Sequence, residues 1–331
     1  MTKRIFFGAT ILVVGMAAAT LAFSRFGYRL FLLDPNPTVE QFSLLAVRDD
    51  HRARTEGILG AFFNGYNAMI QPAGAKGVKS SCDGFEEFLR PFCFEGAAVG
   101  FGPRKYLHWS PRTESFAATV SGIDPDYLFM YHLGLGFWAG MRHRGDASQV
   151  IDLARGRAIR PGFEGLIYDG YGFRLSLVDS RDRPFALVRC RDLGPGAAEA
   201  CYQGVGRSLW FLYMDDPAEA VRKCTDQPRP IPEYCLTGLG LAATFTGVEA
   251  LPEVLKWIDS APPEAFPFLR RGFRIALVVR GLCDSGYLDS LVAGLPPAAG
   301  TRVEAALEHG GDCYRQTIDR PDFYLAFDAC N

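Results

Sequence analysis

The chain has 331 residues, 48% of them hydrophobic and 22% charged, which is enough apolar material for a large core and excludes a disordered or fibrous protein. Thirty-five basic against 37 acidic residues give a net charge of −2 with no long run of one sign, so no nucleic-acid partner is expected. Five histidines make multi-histidine metal chemistry unexpected, and neither a metal nor another cofactor is anticipated.

The amino terminus comes first. Lys3 and Arg4 precede an uncharged stretch over residues 5–24 that ends before Arg25. A helix of that length spans the roughly 30 Å hydrocarbon core of a bilayer. Positive residues ahead of the span predict a single-pass anchor within residues 1–30, with residues 31–331 exported to the periplasm. A cleaved signal peptide is the competing reading, since Ala17, Ala18, Ala19 and Ala22 offer small residues for processing.

The exported part repeats. Short apolar segments recur around Gly65, Gly96, Gly134, Gly170, Gly204, Gly238 and Gly272, at steps of 31, 38, 36, 34, 34 and 34 residues. Between them lie amphipathic stretches such as residues 216–223 and 251–258, with a proline near the start as in a first helical turn. Proline-rich connectors follow, for instance at 227–232. Each unit therefore reads as an outer helix, a connector and an inner helix. The predicted fold is all-α, an α-solenoid of about seven hairpins.

Four inner helices carry glycines two residues apart: Gly134/Gly136, Gly170/Gly172, Gly204/Gly206 and Gly238/Gly240. Each glycine costs about 1 kcal/mol of helix propensity, so close packing on both sides of the helix must offset it. Residues 238–243 formally match a dinucleotide fingerprint. That fingerprint needs a preceding strand, and a pattern recurring every 34 residues argues for packing instead.

Cysteines keep the same register. Cys82/Cys93, Cys190/Cys201 and Cys224/Cys235 are each 11 residues apart, and Cys93, Cys201 and Cys235 each lie three residues before a leading glycine. The spacing predicts bridges between the two helices of one unit, each adding roughly 3 kcal/mol by the chain-entropy model. Cys313 and Cys330 form a further candidate pair, leaving Cys283 as a buried thiol. Disulfides and export support each other.

The residues before the leading glycines are Asn64, Glu95, Leu133, Asp169, Gln203, Thr237 and Arg271, six of the seven polar. Equivalent positions in stacked units should line one inner wall, with His132 and Arg207 close by. These residues are candidates for ligand contact, with Glu95 and Asp169 as acid and base if the protein is an enzyme. The structural alternative is that they cap or cross-link neighbouring helices. No established catalytic signature occurs; Ser208 lacks the second glycine of a nucleophile elbow.

The motifs Phe62-Phe63-Asn64-Gly65-Tyr66-Asn67, Phe94-Glu95-Gly96-Ala97-Ala98, Tyr168-Asp169-Gly170-Tyr171-Gly172-Phe173 and Gln203-Gly204-Val205-Gly206-Arg207-Ser208-Leu209-Trp210 resemble the bacterial domain-of-unknown-function family numbered 1702, from about residue 30 to about 290. Members of that family occur beside enediyne polyketide synthases, so the resemblance implies a role in specialised metabolism and no established reaction. A histidine often follows the Asp-Gly-Tyr-Gly-Phe motif in that family; Arg174 stands here. Two functions follow as expectations. One is a membrane-anchored binding or scaffold protein for a protein partner or lipophilic small molecule. The other is an enzyme acting on a polyketide- or polyene-type substrate through Glu95 and Asp169.

Overall fold

The computed structural model describes residues 27–34, 48–107, 115–156, 160–179 and 183–331. Among them are sixteen α-helices, a few 3-10 turns and no strand. The candidate anchor over residues 5–24 lies outside the described residues, within which no single helix is long and apolar enough to cross a membrane.

Long and short helices alternate. The long ones are α1 (Asp49–Ile70), α3 (Arg90–Leu107), α5 (Leu128–Arg142), α7 (Glu164–Val178), α9 (Ala197–Tyr213), α11 (Ile231–Thr246), α13 (Phe266–Cys283) and α15 (Pro297–Thr317). Between them lie α2 (Ala75–Asp83), α4 (Phe116–Ser121), α6 (Ala147–Ala154), α8 (Arg183–Asp192), α10 (Pro217–Thr225), α12 (Leu251–Asp259) and α14 (Ser285–Ala293), and α16 (Phe323–Cys330) closes the chain. Each long helix packs on the next one in sequence, and most short helices bridge the two long ones that flank them.

Local chemistry sets the short helices. Asp146, Asp216 and Asp284 precede α6, α10 and α14, and each side chain accepts a hydrogen bond from the backbone three residues on. Pro217 and Pro252 occupy first-turn positions where no amide donor is needed.

The leading glycines explain how closely the long helices pack. A methyl group at Gly96, Gly134, Gly170, Gly204, Gly238 or Gly272 would overlap the carbonyl oxygen of Phe62, Glu95, Leu133, Asp169, Gln203 or Thr237 respectively, on the preceding long helix. The second glycines face the other way. A methyl group at Gly136, Gly172, Gly206 or Gly240 would overlap the Ile167, Cys201, Cys235 or Leu269 carbonyl of the following helix. Backbone thus rests on backbone along both sides of each inner helix.

Four disulfides fasten this stack. Cys82–Cys93, Cys190–Cys201 and Cys224–Cys235 join the end of a short helix to the first turns of the next long one, and Cys313–Cys330 ties α16 to α15. Cys283 is a buried free thiol. A chain carrying four bridges belongs in an oxidising, extracytoplasmic environment.

The series of long helices winds back on itself. The Arg280 guanidinium at the end of α13 donates to the Phe88 carbonyl (3.0 Å), just before α3, and to the Phe245 carbonyl (2.7 and 3.1 Å) in the last turn of α11. Phe92 meets Phe245 edge-on at 5.6 Å. His51 and Thr55, in the first two turns of α1, reach Asp215 (2.5 Å) and Met214 (3.6 Å) beyond the end of α9. The inner faces therefore surround a common interior.

Candidate functional site

That interior holds a cavity. Its lining is mostly apolar: Phe92 from α3, Phe129, Met130 and Leu133 from α5, Leu166 from α7, Phe211 from α9, Leu241 and Phe245 from α11, and Ile275 and Val279 from α13. The polar lining comes from Asp169, Gln203, Arg207, Thr246, Tyr324 and Asp328. The cavity's volume is about 50 Å³, room for about four waters or a slender chain end.

The lining positions drift along the helices. Relative to the leading glycine they lie before it on α3, α5 and α7, on both sides of it on α9, and after it on α11 and α13. A straight stack would present the same position every time. The cavity therefore runs obliquely across the stripe read from the sequence.

That obliquity decides which stripe residues meet. Arg207, buried on α9, donates from Nη1 to Asp169 Oδ1 at 2.7 Å and lies 3.6 Å from Glu95 Oε1 through Nη2. Tyr324 on α16 donates its hydroxyl to the other Asp169 oxygen at 2.8 Å. Asp328, one turn further, accepts from Arg271 at 3.1 Å. Glu95, Asp169, Gln203 and Arg207 are thus gathered at one end of the cavity, and Arg271 reaches it through Asp328.

The remaining candidates lie elsewhere. Asn64 is exposed and accepts from Ser81 at 2.6 Å; α1 is the first long helix among the described residues. His132 is fully buried, but its Nδ1 meets the Leu128 carbonyl at 2.7 Å and its ring packs edge-on against Phe116 and Phe163, off the cavity. Thr237 donates to the Glu233 carbonyl of its own helix at 2.9 Å, since the cavity has by then moved on to Leu241 and Phe245. For these three the expected convergence on one wall is corrected.

Electrostatics distinguish the two carboxylates. Asp169 has both oxygens occupied by donors; burial pushes its pKa up, while Arg207 and Tyr324 pull it down. Glu95 Oε1 has no hydrogen-bond partner, and burial raises the Glu95 pKa to about 7, with Arg207 opposing and the Asp169 charge adding to the rise. Burial likewise raises Asp328 to about 6 and lowers His132 to about 4. One guanidinium shared by two buried carboxylates favours a proton on the less well bonded of them, Glu95.

A model of the family described as "Protein of unknown function (DUF1702)" matches residues 29–281, more than half of the chain. The protein belongs to the DUF1702 family. No curated protein and no solved structure matches it. The DUF1702 match takes in Glu95, Asp169, Gln203 and Arg207 but ends before Tyr324 and Asp328, so the carboxyl-terminal helix completes a cavity that begins inside the family region. Arg174, the departure from the motif, pairs with Asp179 at 2.8 Å and does not line the cavity. Among the described residues no group of three His, Cys, Asp or Glu side chains could hold a metal ion.

Sequence reasoning did not anticipate Tyr324 and Asp328. One signal was the Cys313/Cys330 pair, which implied an anchored terminal segment. Gly165 on α7 receives the Tyr324 ring, where any larger residue would overlap it. A glycine outside the repeated positions was thus a second, unread sign of close approach.

Proposed function

We propose that this protein is a membrane-anchored, periplasmic α-solenoid of about seven hairpins whose interior binds a slender apolar small molecule. The observation that carries the reading is the mostly apolar cavity with its charged groups confined to one end, the usual make-up of a site that holds a chain and orients its head. Its small volume argues against a bulky occupant. An interior site also favours a small molecule over a protein partner, which would need an open concave face. The four disulfides support the extracytoplasmic placement, and residues 5–24 supply the anchor.

The test is to purify the full chain from membranes and identify by mass spectrometry what dissociates on unfolding. An apolar molecule should accompany the wild type and be absent from Ala242→Phe, which fills the cavity. Equal recovery from both, or none from either, would refute the reading. A reporter fused after Asn331 should act only outside the cytoplasm.

One observation favours a second reading, an enzyme of specialised metabolism. Glu95 combines a carboxyl that has no hydrogen bond beyond the 3.6 Å Arg207 ion pair with a pKa of about 7, the range suited to general acid–base work at neutral pH. Asp169, saturated by Arg207 and Tyr324, is a poor candidate for the base and a better one for holding Arg207 in place. Chemical conversion of the bound molecule by wild type but not by Glu95→Gln, with binding retained, would favour this reading.

A further inference from the structure

We infer that the polar end of the cavity receives a primary ammonium group, so that the ligand is a slender aliphatic amine. The inference rests on the small-molecule reading above. Three buried oxygens at this end lack a hydrogen bond: Gln203 Oε1 and Asp328 Oδ1 have no donor, and Glu95 Oε1 has only the Arg207 ion pair at 3.6 Å. Their residues are 2%, 4% and 4% exposed, and buried acceptors are seldom left unpaired in folded proteins. Gln203 and Asp328 line the cavity directly, and Glu95 adjoins it through Arg207.

Every unmet group is an acceptor, which selects the ligand's head. A carboxylate head would bring more acceptors and more negative charge. A hydroxyl brings one donor. An alkylammonium brings three donors and no acceptor, so it serves unpaired oxygens such as those of Gln203 and Asp328 without adding another. Charge is compatible: with Glu95 protonated, Asp169 and Asp328 balance Arg207 and Arg271, and an ammonium that enters as the Glu95 proton leaves keeps the cluster neutral. Arg207 does not stand in the way, because its guanidinium is already held between Asp169 and Glu95.

The experiment is calorimetric titration of the purified full chain with hexylamine, 1-hexanol and hexanoate at neutral pH, where the amine is protonated. Hexylamine should bind at least about tenfold more tightly than hexanol, and hexanoate should give no binding. Gln203→Leu removes one unpaired oxygen without stranding a partner. It should fold and retain hexanol while losing most of the preference for the amine. Hexanol or hexanoate binding as tightly as hexylamine, or an undiminished amine preference in Gln203→Leu, would overturn the ammonium inference and leave the apolar cavity standing. Absence of binding by all three probes would overturn both.

Discussion

Arg207 is the residue on which the interior charges turn. Asp169 takes two donors, and Glu95 is left with a guanidinium nitrogen at 3.6 Å. Glu95 therefore holds a proton up to about pH 7 in the folded protein, against an ordinary value of 4.5. Between those values the folded state binds more protons than the unfolded chain, so the stability Glu95 contributes is present below 4.5 and lost as pH rises through 7. His132 and Asp328 titrate in overlapping ranges, but equally in wild type and in Glu95→Gln. The difference between the two proteins thus isolates Glu95. Glu95→Gln should gain on wild type by on the order of 3 kcal/mol as pH rises from 4.5 to beyond 7, measured by urea unfolding at several pH values. A constant difference would show that Glu95 does not carry this proton. A second expectation concerns coupling. Asp169→Asn should still fold, because Glu95 can ionise and serve Arg207. Glu95→Gln leaves Asp169 in place. The double variant strands a buried guanidinium, which costs about 3–5 kcal/mol. Its loss should exceed the sum of the two single losses, and an additive cycle would show that the carboxylates do not share Arg207.

At the scale of the helix, the glycines act by position, not by composition. Gly204 faces the Asp169 carbonyl across the α7–α9 seam, where an added methyl group meets backbone that cannot rotate away. Gly60, in the middle of α1, has open space at the same point. Replacing a helical glycine by alanine gains about 1 kcal/mol of propensity where nothing else changes. Gly60→Ala should therefore raise the melting temperature. Gly204→Ala must force two helices apart, and overpacking of this kind costs about 1–3 kcal/mol or more. Its melting temperature should fall. A rise for both would mean that the seams are loose. The disulfides work at the same scale: three close a hairpin where the next long helix begins, and Cys313–Cys330 holds the last short helix to α15.

For the molecule as a whole, the decisive contacts are those that return from late helices to early ones. Arg280 is 2% exposed and has no carboxylate partner among its hydrogen bonds; its charge is met by the Phe88 and Phe245 carbonyls and by the Phe245 ring 3.9 Å away. Burial lowers its pKa to about 10, so it remains a cation at neutral pH. Arg280→Met should leave both carbonyls without this donor and lower stability by about 3 kcal/mol. Hydrogen exchange should then accelerate at the start of α3 and the end of α11, on opposite sides of the seam. Exchange spread evenly over the molecule would show that Arg280 does not close the turn.

The sequence by itself determined what lies within one repeat or between neighbours. The glycine steps gave the inner helices, the pairs at i and i+2 gave packing on both sides, and the 11-residue cysteine spacing gave three bridges, because each relation spans no more than about one unit of chain. Only the tertiary structure decided which polar residues meet. Glu95 and Asp169 share a site around Arg207 while Asn64, His132 and Thr237 do not, although the positions of these five in the repeat are the same or adjacent. The outcome depends on curvature and rise, the sum of small rotations at every seam, and no single spacing records that sum. The contacts of Tyr324 with Asp169 and of Arg280 with Phe88, separated by 155 and 192 residues, are set in the same way. They form because the accumulated turn returns the chain to its earlier helices.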